Sequence, residues 1–447
     1  MTKATNTTTA NRIKEDLIQK IKSRQARVCV VGLGYVGLPF AVEKAKVGFT
    51  VIGIDQNPRR AQQVNAGISY ITDVPSSELE PLVQKGLIKA VTDFSLASTA
   101  DVIVICVPTP LTRNQVPDLQ YVISVTENIA RHLRPGQLIS LESTTYPGTT
   151  EEVLLPLLQR SGLKVEEDYF LCHSPERVDP GNKRYTTKNT NKVVGGVGPH
   201  SLEVAQAFYE QTIEHVVPVS SARAAEMVKV FENTFRAVNI ALVNELAILC
   251  DKMGLNVWEV LDAAFTKPFG ILPFYPGPGV GGHCIPIDPH YLEWKAREYG
   301  FTTRFIGLAG EINRRMPEFV REKVHRTLNE VGKAVSRSKI LFIGMAYKKD
   351  LGDCRESPAI RVAELLLEDK AEVLYHDPHV DEIELNGRLY RSVPLEEETV
   401  KGVDLVVITT DHSSIDYRML VQNAPVILDT RNATKGIAGR EGKVVLL

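Results

Sequence analysis

Short apolar runs alternate with polar, helix-compatible stretches through the first half of the chain. The runs lie at Arg27–Val31, Thr50–Asp55, Asp101–Val107, Gln137–Ser143 and Tyr169–His173, and most of their positions are apolar whichever face they point to. A strand that is apolar on both faces belongs in a parallel sheet covered on both sides, and the intervening stretches are long enough to supply the covering helices. After Val216–Val219 the period changes. Ala222–Met253 holds neither Pro nor Gly and reads as one long helix. Val230, Phe231, Thr234, Val238 and Ala241 form its core stripe, whereas Lys229, Asn233 and Arg236 fall at i, i+4 and i+7 in a separate polar row. Such a row is ordinarily a solvated face. A shorter helix over Asn256–Phe265 and helical periodicity from His290 to about Val331 extend this middle section, and a short amphipathic helix, Ile13–Ile21, precedes the first strand. From Lys339 the opening pattern returns, with runs at Ile340–Gly344, Glu372–Asp377, Val403–Thr409 and Pro425–Asp429.

The turn after the first strand is Gly32-Leu33-Gly34-Tyr35-Val36-Gly37, a G-x-G-x-x-G sequence between a strand and a helix, the context in which it binds a dinucleotide. Gly32 makes the turn, Gly34 lets backbone amides approach a pyrophosphate, and Gly37 allows helix to pack on strand, with the helix N-terminus facing the phosphates. Asp55 ends the second strand, where a carboxylate accepts both adenosine ribose hydroxyls and repels a 2′-phosphate; NAD is therefore expected over NADP. Thr109 and Thr144 follow two further strands, at the carboxyl edge where open parallel sheets bind ligands, and the next strand delivers Glu176 and Arg177 to that edge. The second half lacks three spaced glycines and carries Lys348, Lys349 and Arg355 in its first turn, which favours a different phosphate-bearing ligand held by side-chain charge. The expected fold is α/β: two Rossmann-like domains joined by a central, mostly helical domain built on the long helix. The expected divisions are a tail and short helix at 1–24, an NAD-binding domain at 25–218, the helical domain at 219–332 and the second Rossmann-like domain at 333–447.

Composition narrows the partners. A formal net charge of -2 leaves no global field to recruit nucleic acid or an anionic membrane, so any anion site must be local. The apolar runs are strand-sized and the N-terminus is polar, so a cytoplasmic protein is expected. Six cysteines without regular spacing form neither a disulfide framework nor a paired zinc pattern, and ten scattered histidines show no ligand spacing; a metal-free mechanism is expected.

One thiol stands apart. Cys29, Cys106 and Cys172 lie in or at the ends of strand runs, Cys250 in the long helix and Cys354 in a turn, whereas Cys284 is enclosed by the glycines and prolines of Gly277–Pro289. Glycines permit close approach and prolines stiffen the run, so it reads as a pocket wall, with a flexible linker as the competing reading. A placed thiol beside an NAD site suggests aldehyde capture as a thiohemiacetal, hydride loss to a thioester, and hydrolysis. Glu176 or Asp288 can serve as base, while Lys229 and Asn233 can stabilise an alkoxide.

Taken together, Gly32 to Pro39, Val107-Pro-Thr-Pro110, Glu142-Ser-Thr144, Ser174-Pro-Glu-Arg177, Ala225 to Lys229, Gly281-Gly-His-Cys284, Asp288-Pro289 and Arg355-Glu-Ser-Pro358 resemble the UDP-glucose/GDP-mannose dehydrogenase family. The resemblance spans almost the whole chain past about residue 25. It implies a four-electron oxidation of a nucleotide sugar's C6 alcohol to a carboxylate, with two NAD reduced. It implies Cys284 as nucleophile, Lys229 and Asn233 as oxyanion stabilisers, and Glu176 and Asp288 as candidates for water activation. Cofactor contacts are then expected from Gly32, Gly34, Tyr35, Val36, Gly37, Asp55, Arg60, Thr109, Thr144 and Arg355. UDP-sugar contacts are expected from Arg177, Val178, Lys229, Asn233, Arg236, Gly281 and Lys348, the last in a UDP-sugar-binding C-terminal domain. Assembly through the long helix into a homodimer or higher oligomer is also implied. Glu142–Thr150 and Pro175–Gly181 look more like members acting on N-acetylated UDP-hexosamines. UDP-N-acetylglucosamine is therefore expected first, UDP-N-acetylmannosamine second and UDP-glucose third. A nucleotide-sugar-binding module without turnover and a two-electron hydroxyacid dehydrogenase are the readings of other classes.

Overall fold

The computed structural model describes every residue except Met1, Thr72, Arg113, 178–183 and His283. Eight strands form the first sheet: β1 (Arg27–Val31), β2 (Thr50–Ile54), β3 (Ile88–Val91), β4 (Val102–Ile105), β5 (Leu138–Leu141), β6 (Phe170–His173), β7 (Lys192–Gly196) and β8 (Val216–Val219). Their order is β3-β2-β1-β4-β5-β6-β7-β8, parallel except where β6 meets β7. The chain winds outward from β1 to β3, then returns to β4 on the other side of β1. At that switch point the turns after β1 and β4 lead away in opposite directions and leave a crevice at the carboxyl edge. Pairing of Val31 with Ile105 sets the two turns level.

Burial on both faces explains the near-continuous apolar runs. Val28, Val30, Val51 and Val104 pack with Phe40, Ala41 and Ala45 of the helix Gly37–Lys46 in one core. Fully burying a side chain of Val or Phe size contributes about 1.5–3 kcal/mol. The same helix carries Lys44, 1% exposed, whose Nζ donates to Phe208 O at 2.9 Å and Thr212 Oγ1 at 2.8 Å and lies 3.7 Å from the Phe208 ring centroid. The helix behind the glycine turn is thereby tied to Pro199–Tyr209. The N-terminal helix runs over Thr2–Lys22, longer than the amphipathic stretch Ile13–Ile21, with Leu17 and Ile21 in the first core. Packing of that face supplies the nucleus from which the polar residues before it propagate.

The second sheet contains β9 (Lys339–Ile343), β10 (Glu372–His376), β13 (Leu405–Ile408), β14 (Ile427–Asp429) and β15 (Val444–Leu446), and a separate hairpin joins β11 (Glu382–Leu385) to β12 (Arg388–Arg391). Its order, β10-β9-β13-β14-β15, is parallel throughout and repeats the first sheet's β2-β1-β4-β5-β6. The repetition reaches the turns. Gly32, φ +91°, donates its N–H to Ile54 O at 2.8 Å, and Gly344, φ +85°, donates to His376 O at 2.9 Å. Asp55 accepts from Leu33 N at 2.9 Å, and Asp377 accepts from Met345 N at 2.7 Å and Ala346 N at 3.0 Å. In both sheets an acid ending the second strand pins the turn after the first.

The chain divides into two compact units, residues 1–232 with Trp294–Gly300, and Asn233–Glu293 with Phe301–Leu447. The division falls inside the long helix, which spans Ala222–Met253 as its sequence predicts. Its polar row is not a solvated face: Lys229 is 9% and Asn233 7% exposed, although Arg236 is exposed. Val230, Thr234 and Ala241 are buried as expected, but Phe231 is 61% exposed and belongs to a second apolar row. Among the described residues, no helix is long and apolar enough to cross a membrane.

Candidate active site

Each glycine of the first turn has its own reason. A Cβ on Gly32 would stand 2.4 Å from Cys106 O and one on Gly37 1.8 Å from Gly32 O, whereas one on Gly34 would meet nothing within 4 Å. Gly32 and Gly37 are thus required by the protein's own packing, and Gly34 presents bare backbone. Tyr35, 48% exposed, stands at the tip of the turn, with Val36 half-buried beside it. Asp55 accepts from Leu33 N and, through Oδ1, from Asn57 N at 2.9 Å, with Arg60 Nη1 3.5 Å from Oδ2. A carboxylate has about four lone-pair positions, so this pinning leaves capacity for ribose hydroxyls. Thr109 Oγ1 donates to Thr144 O at 2.7 Å, and Ser143 Oγ accepts from Val107 N at 3.0 Å and donates to Val107 O at 2.7 Å. The ends of β4 and β5 are laced together beside the crevice.

Further along this edge sits a buried cluster of charges. Lys192 Nζ, at the start of β7, lies 2.5 Å from Glu142 Oε2 and 3.3 Å from Glu176 Oε2, and Tyr209 OH donates to Glu142 Oε1 at 2.6 Å. Arg177 donates its backbone N–H to Glu176 Oε1 at 2.7 Å. Its guanidinium is engaged by Glu232, with Nε 3.2 Å from Oε2, and by Asn191 O at 2.7 Å, so it anchors the loop to the long helix. Val178, expected at the substrate, lies outside the described residues. One turn before Lys229 on that helix, the Glu226 carboxylate accepts from Gly148 N, from Thr150 N at 2.8 Å and from Thr150 Oγ1 at 2.6 Å. Burial pushes its pKa up to about 7 against the pull of these hydrogen bonds. Lys192 and Glu226 escaped the sequence reading. The signal for Lys192 was a lone cation opening the apolar run Val193-Val194, in a strand flanked by glycines.

In the second unit the run Gly277–Pro289 is held against the first turn of the β9 sheet. A Cβ on Gly281 would lie 2.6 Å from Tyr347 Cβ, and one on Gly282, φ +85°, 2.9 Å from Tyr347 Cε2; Gly282 N donates to Arg355 O at 2.9 Å. The glycines therefore permit contact, and a flexible linker is not what they make. Lys348, next to Tyr347, is brought to the same turn, and the Arg355 guanidinium is paired with Asp353 at 2.6 Å. Cys284 is exposed, Cys29, Cys106, Cys172 and Cys250 are buried, and Cys354 is half-buried. Burial raises the Cys29, Cys172 and Cys354 thiols to about 12. The carbonyl of Cys284 accepts from Ile287 N at 3.1 Å and Asp288 N at 2.8 Å, closing the turn that leads into the helix Asp288–Glu298. Asp288, 3% exposed, accepts from Asn233 Nδ2 at 2.5 Å. Arg431, absent from the sequence reading, places Nη1 2.4 Å from where a Gly277 Cβ would stand. The ligand atoms of Asp350, His379 and His412 fall within 4.8 Å of one another. His412 accepts from Asp350 N at 3.0 Å and meets Asp377 at 3.1 Å, while the Asp350 carboxylate takes both polar groups of Ser413; these atoms hold the Met345–Asp350 turn.

A dinucleotide turn at a switch point, and its cation-bearing counterpart in a second sheet, define an NAD-dependent oxidoreductase with two nucleotide-binding folds. The chain belongs to the UDP-glucose/GDP-mannose dehydrogenase family, matching its NAD binding domain over residues 26–213, its central domain over 223–315 and its UDP binding domain over 341–436. It is 37% identical over 422 residues to the UDP-N-acetyl-D-mannosamine dehydrogenase of Methanococcus maripaludis, covering 91% of this chain and 92% of that one. It is 34% identical over 392 residues to the UDP-N-acetyl-D-glucosamine 6-dehydrogenase of Pseudomonas aeruginosa, covering 87% and 91%. The solved structure of the UDP-D-ManNAc dehydrogenase from Pyrococcus horikoshii matches with a TM-score of 0.84 at 33% identity, over 93% of this chain and 99% of that one. The protein is an NAD-dependent nucleotide-sugar 6-dehydrogenase.

Proposed function

We propose that this enzyme oxidises the C6 hydroxyl of a UDP-N-acetylhexosamine to the carboxylate through a thioester on Cys284, with UDP-N-acetyl-D-glucosamine as first candidate. The observation that carries the reading is the exposed thiol in the turn before a helix, in a chain whose other cysteines are buried or half-buried. NAD, when bound, accepts a hydride, twice per sugar. Lys229 takes the C6 hydroxyl proton and, with Asn233, stabilises the alkoxide. Cys284 Sγ then adds to the aldehyde carbon, loss of a second hydride leaves the thioester, and water attacks that carbon. As the C–S bond breaks, thiolate returns to Cys284. Of the two candidate bases, Glu176 is assigned the water's proton, because its side chain is 16% exposed at the outer end of the charge cluster, whereas Asp288 is 3% exposed and accepts from Asn233. Lys348 and Arg431 are assigned to the UDP phosphates.

The relatives carry a second reading, UDP-N-acetyl-D-mannosamine, since the 37% identical protein bears that name. Purified enzyme with NAD and a panel of UDP-GlcNAc, UDP-ManNAc, UDP-GalNAc, UDP-glucose and GDP-mannose decides between them by kcat/KM. Two NADH per sugar are expected, and Cys284→Ala is expected to abolish turnover. One NADH per sugar, or full turnover by Cys284→Ala, would sink the thioester route. A homodimer is also proposed, supported by the exposed row Phe235 (42%), Leu242 (61%), Leu249 (50%) and Met253 (61%) on the long helix.

A further inference from the structure

Resting on the assignment of Glu176 to the hydrolytic water, we propose that Lys192 is the positioning residue for that step: its ammonium, braced by Glu142, fixes the Glu176 carboxylate in place and as the anion. Lys192 and Glu142 have side chains 4% and 0% exposed, while Glu176, at 16%, forms the outer end of the cluster. Each partner is itself held. Tyr209 OH, 2.7 Å from Ser140 Oγ, fixes Glu142 from inside the sheet, and Arg177 N fixes the second oxygen of Glu176. The result is a continuous polar chain from the sheet interior to the carboxyl edge beside the crevice.

Burying such charges costs several kcal/mol per ion, and an apolar replacement of similar volume is often as stable or more so. Stability therefore gives little reason to keep the cluster, whereas control of a reacting carboxylate does. Among the described residues, the titratable groups facing it include Cys106 beyond β4, Cys172 and His173 on β6, Tyr209, and Lys44. Burial raises both thiols and the phenol, lowers His173 to about 3 and lowers Lys44 well below its ordinary value. Arg177 is occupied by Glu232. Among the described residues of the cluster, two charges act on Glu176 in opposite directions: Lys192 favours its anion and Glu142 opposes it.

This opposition supplies the test. The full-length enzyme and its Lys192→Met, Lys192→Arg, Glu142→Gln and Glu176→Gln variants are compared by kcat against pH and by intact mass of enzyme quenched during turnover. Lys192→Met is expected to lower kcat about 10- to 100-fold, part of the 10²–10⁴ a positioned base supplies, with KM for NAD within about twofold. It should accumulate a covalent sugar adduct on Cys284 and move the acid limb of the profile to higher pH. Lys192→Arg should restore most of the rate, and Glu142→Gln should move the limb to lower pH, a reversal of sign that a structural ion pair would not produce. If Glu176→Gln accumulates adduct but Lys192→Met neither accumulates it nor shifts the profile, the inference falls and the role of Glu176 stands. Full turnover by Glu176→Gln would remove that role itself. Should Lys192→Met fail to fold, Glu142→Gln decides alone, and an unshifted limb overturns the proposal.

Discussion

At the scale of single residues, reactivity follows burial. A thiol must ionise to react, and burial in apolar surroundings opposes that for Cys29, Cys172 and Cys354, while Cys284 is exposed. Limiting iodoacetamide followed by peptide mass analysis should therefore label Cys284 first. Earlier labelling of Cys354 would contradict the assignment. Glu226 makes a second residue-scale prediction. Its pKa of about 7, against an ordinary 4.5, means the folded chain binds more protons than the unfolded one between these values, so its contribution to stability falls as pH rises through that window. Glu226→Gln removes that slope. Urea unfolding at pH 5 and pH 7.5 should find the variant gaining about 2 kcal/mol relative to the parent on going to the higher pH. An unchanged difference would show that Glu226 is not a buried, proton-binding carboxylate.

At the scale of elements, the glycine run is defined by what it leans on. Gly281→Ala would drive a methyl group into Tyr347 Cβ and Glu356 O, the latter 2.8 Å away, at a cost of about 1–3 kcal/mol. It is expected to lower the thermal midpoint and raise KM for the UDP-sugar while leaving KM for NAD unchanged; an unaltered KM for the UDP-sugar would mean that this run does not shape the sugar site. Most elements were legible because their signals are local. The period of the apolar runs located β1, β2, β4, β5 and β6, and the absence of Pro and Gly bounded the long helix at Ala222 and Met253. β3, β7, the β11–β12 hairpin and β15 were not anticipated, because three to five residues are too few to carry a period of their own. The Lys229 and Asn233 row shows the complementary limit, since a polar row looks the same in sequence whether water or a buried site satisfies it.

At the scale of the whole molecule, the long helix carries more apolar surface than one chain covers. Leu242 and Leu249 lie seven residues apart on one exposed face, and Leu242→Glu with Leu249→Glu is expected to halve the mass measured by light scattering. An unchanged mass would place any assembly elsewhere.

The amino-acid order alone determined most strand runs of the two halves, the glycine turn, the acid that follows it and which cysteine stands apart, because each depends on residues near one another in the chain. Tertiary structure decided the rest. Lys192 meets Glu142 from 50 residues away and Glu226 reaches Gly148 across 78. The Cys284 run meets Tyr347 only because the second sheet returns beneath it. Local period reports which way a side chain faces, whereas the charge that faces it is fixed by how distant segments pack.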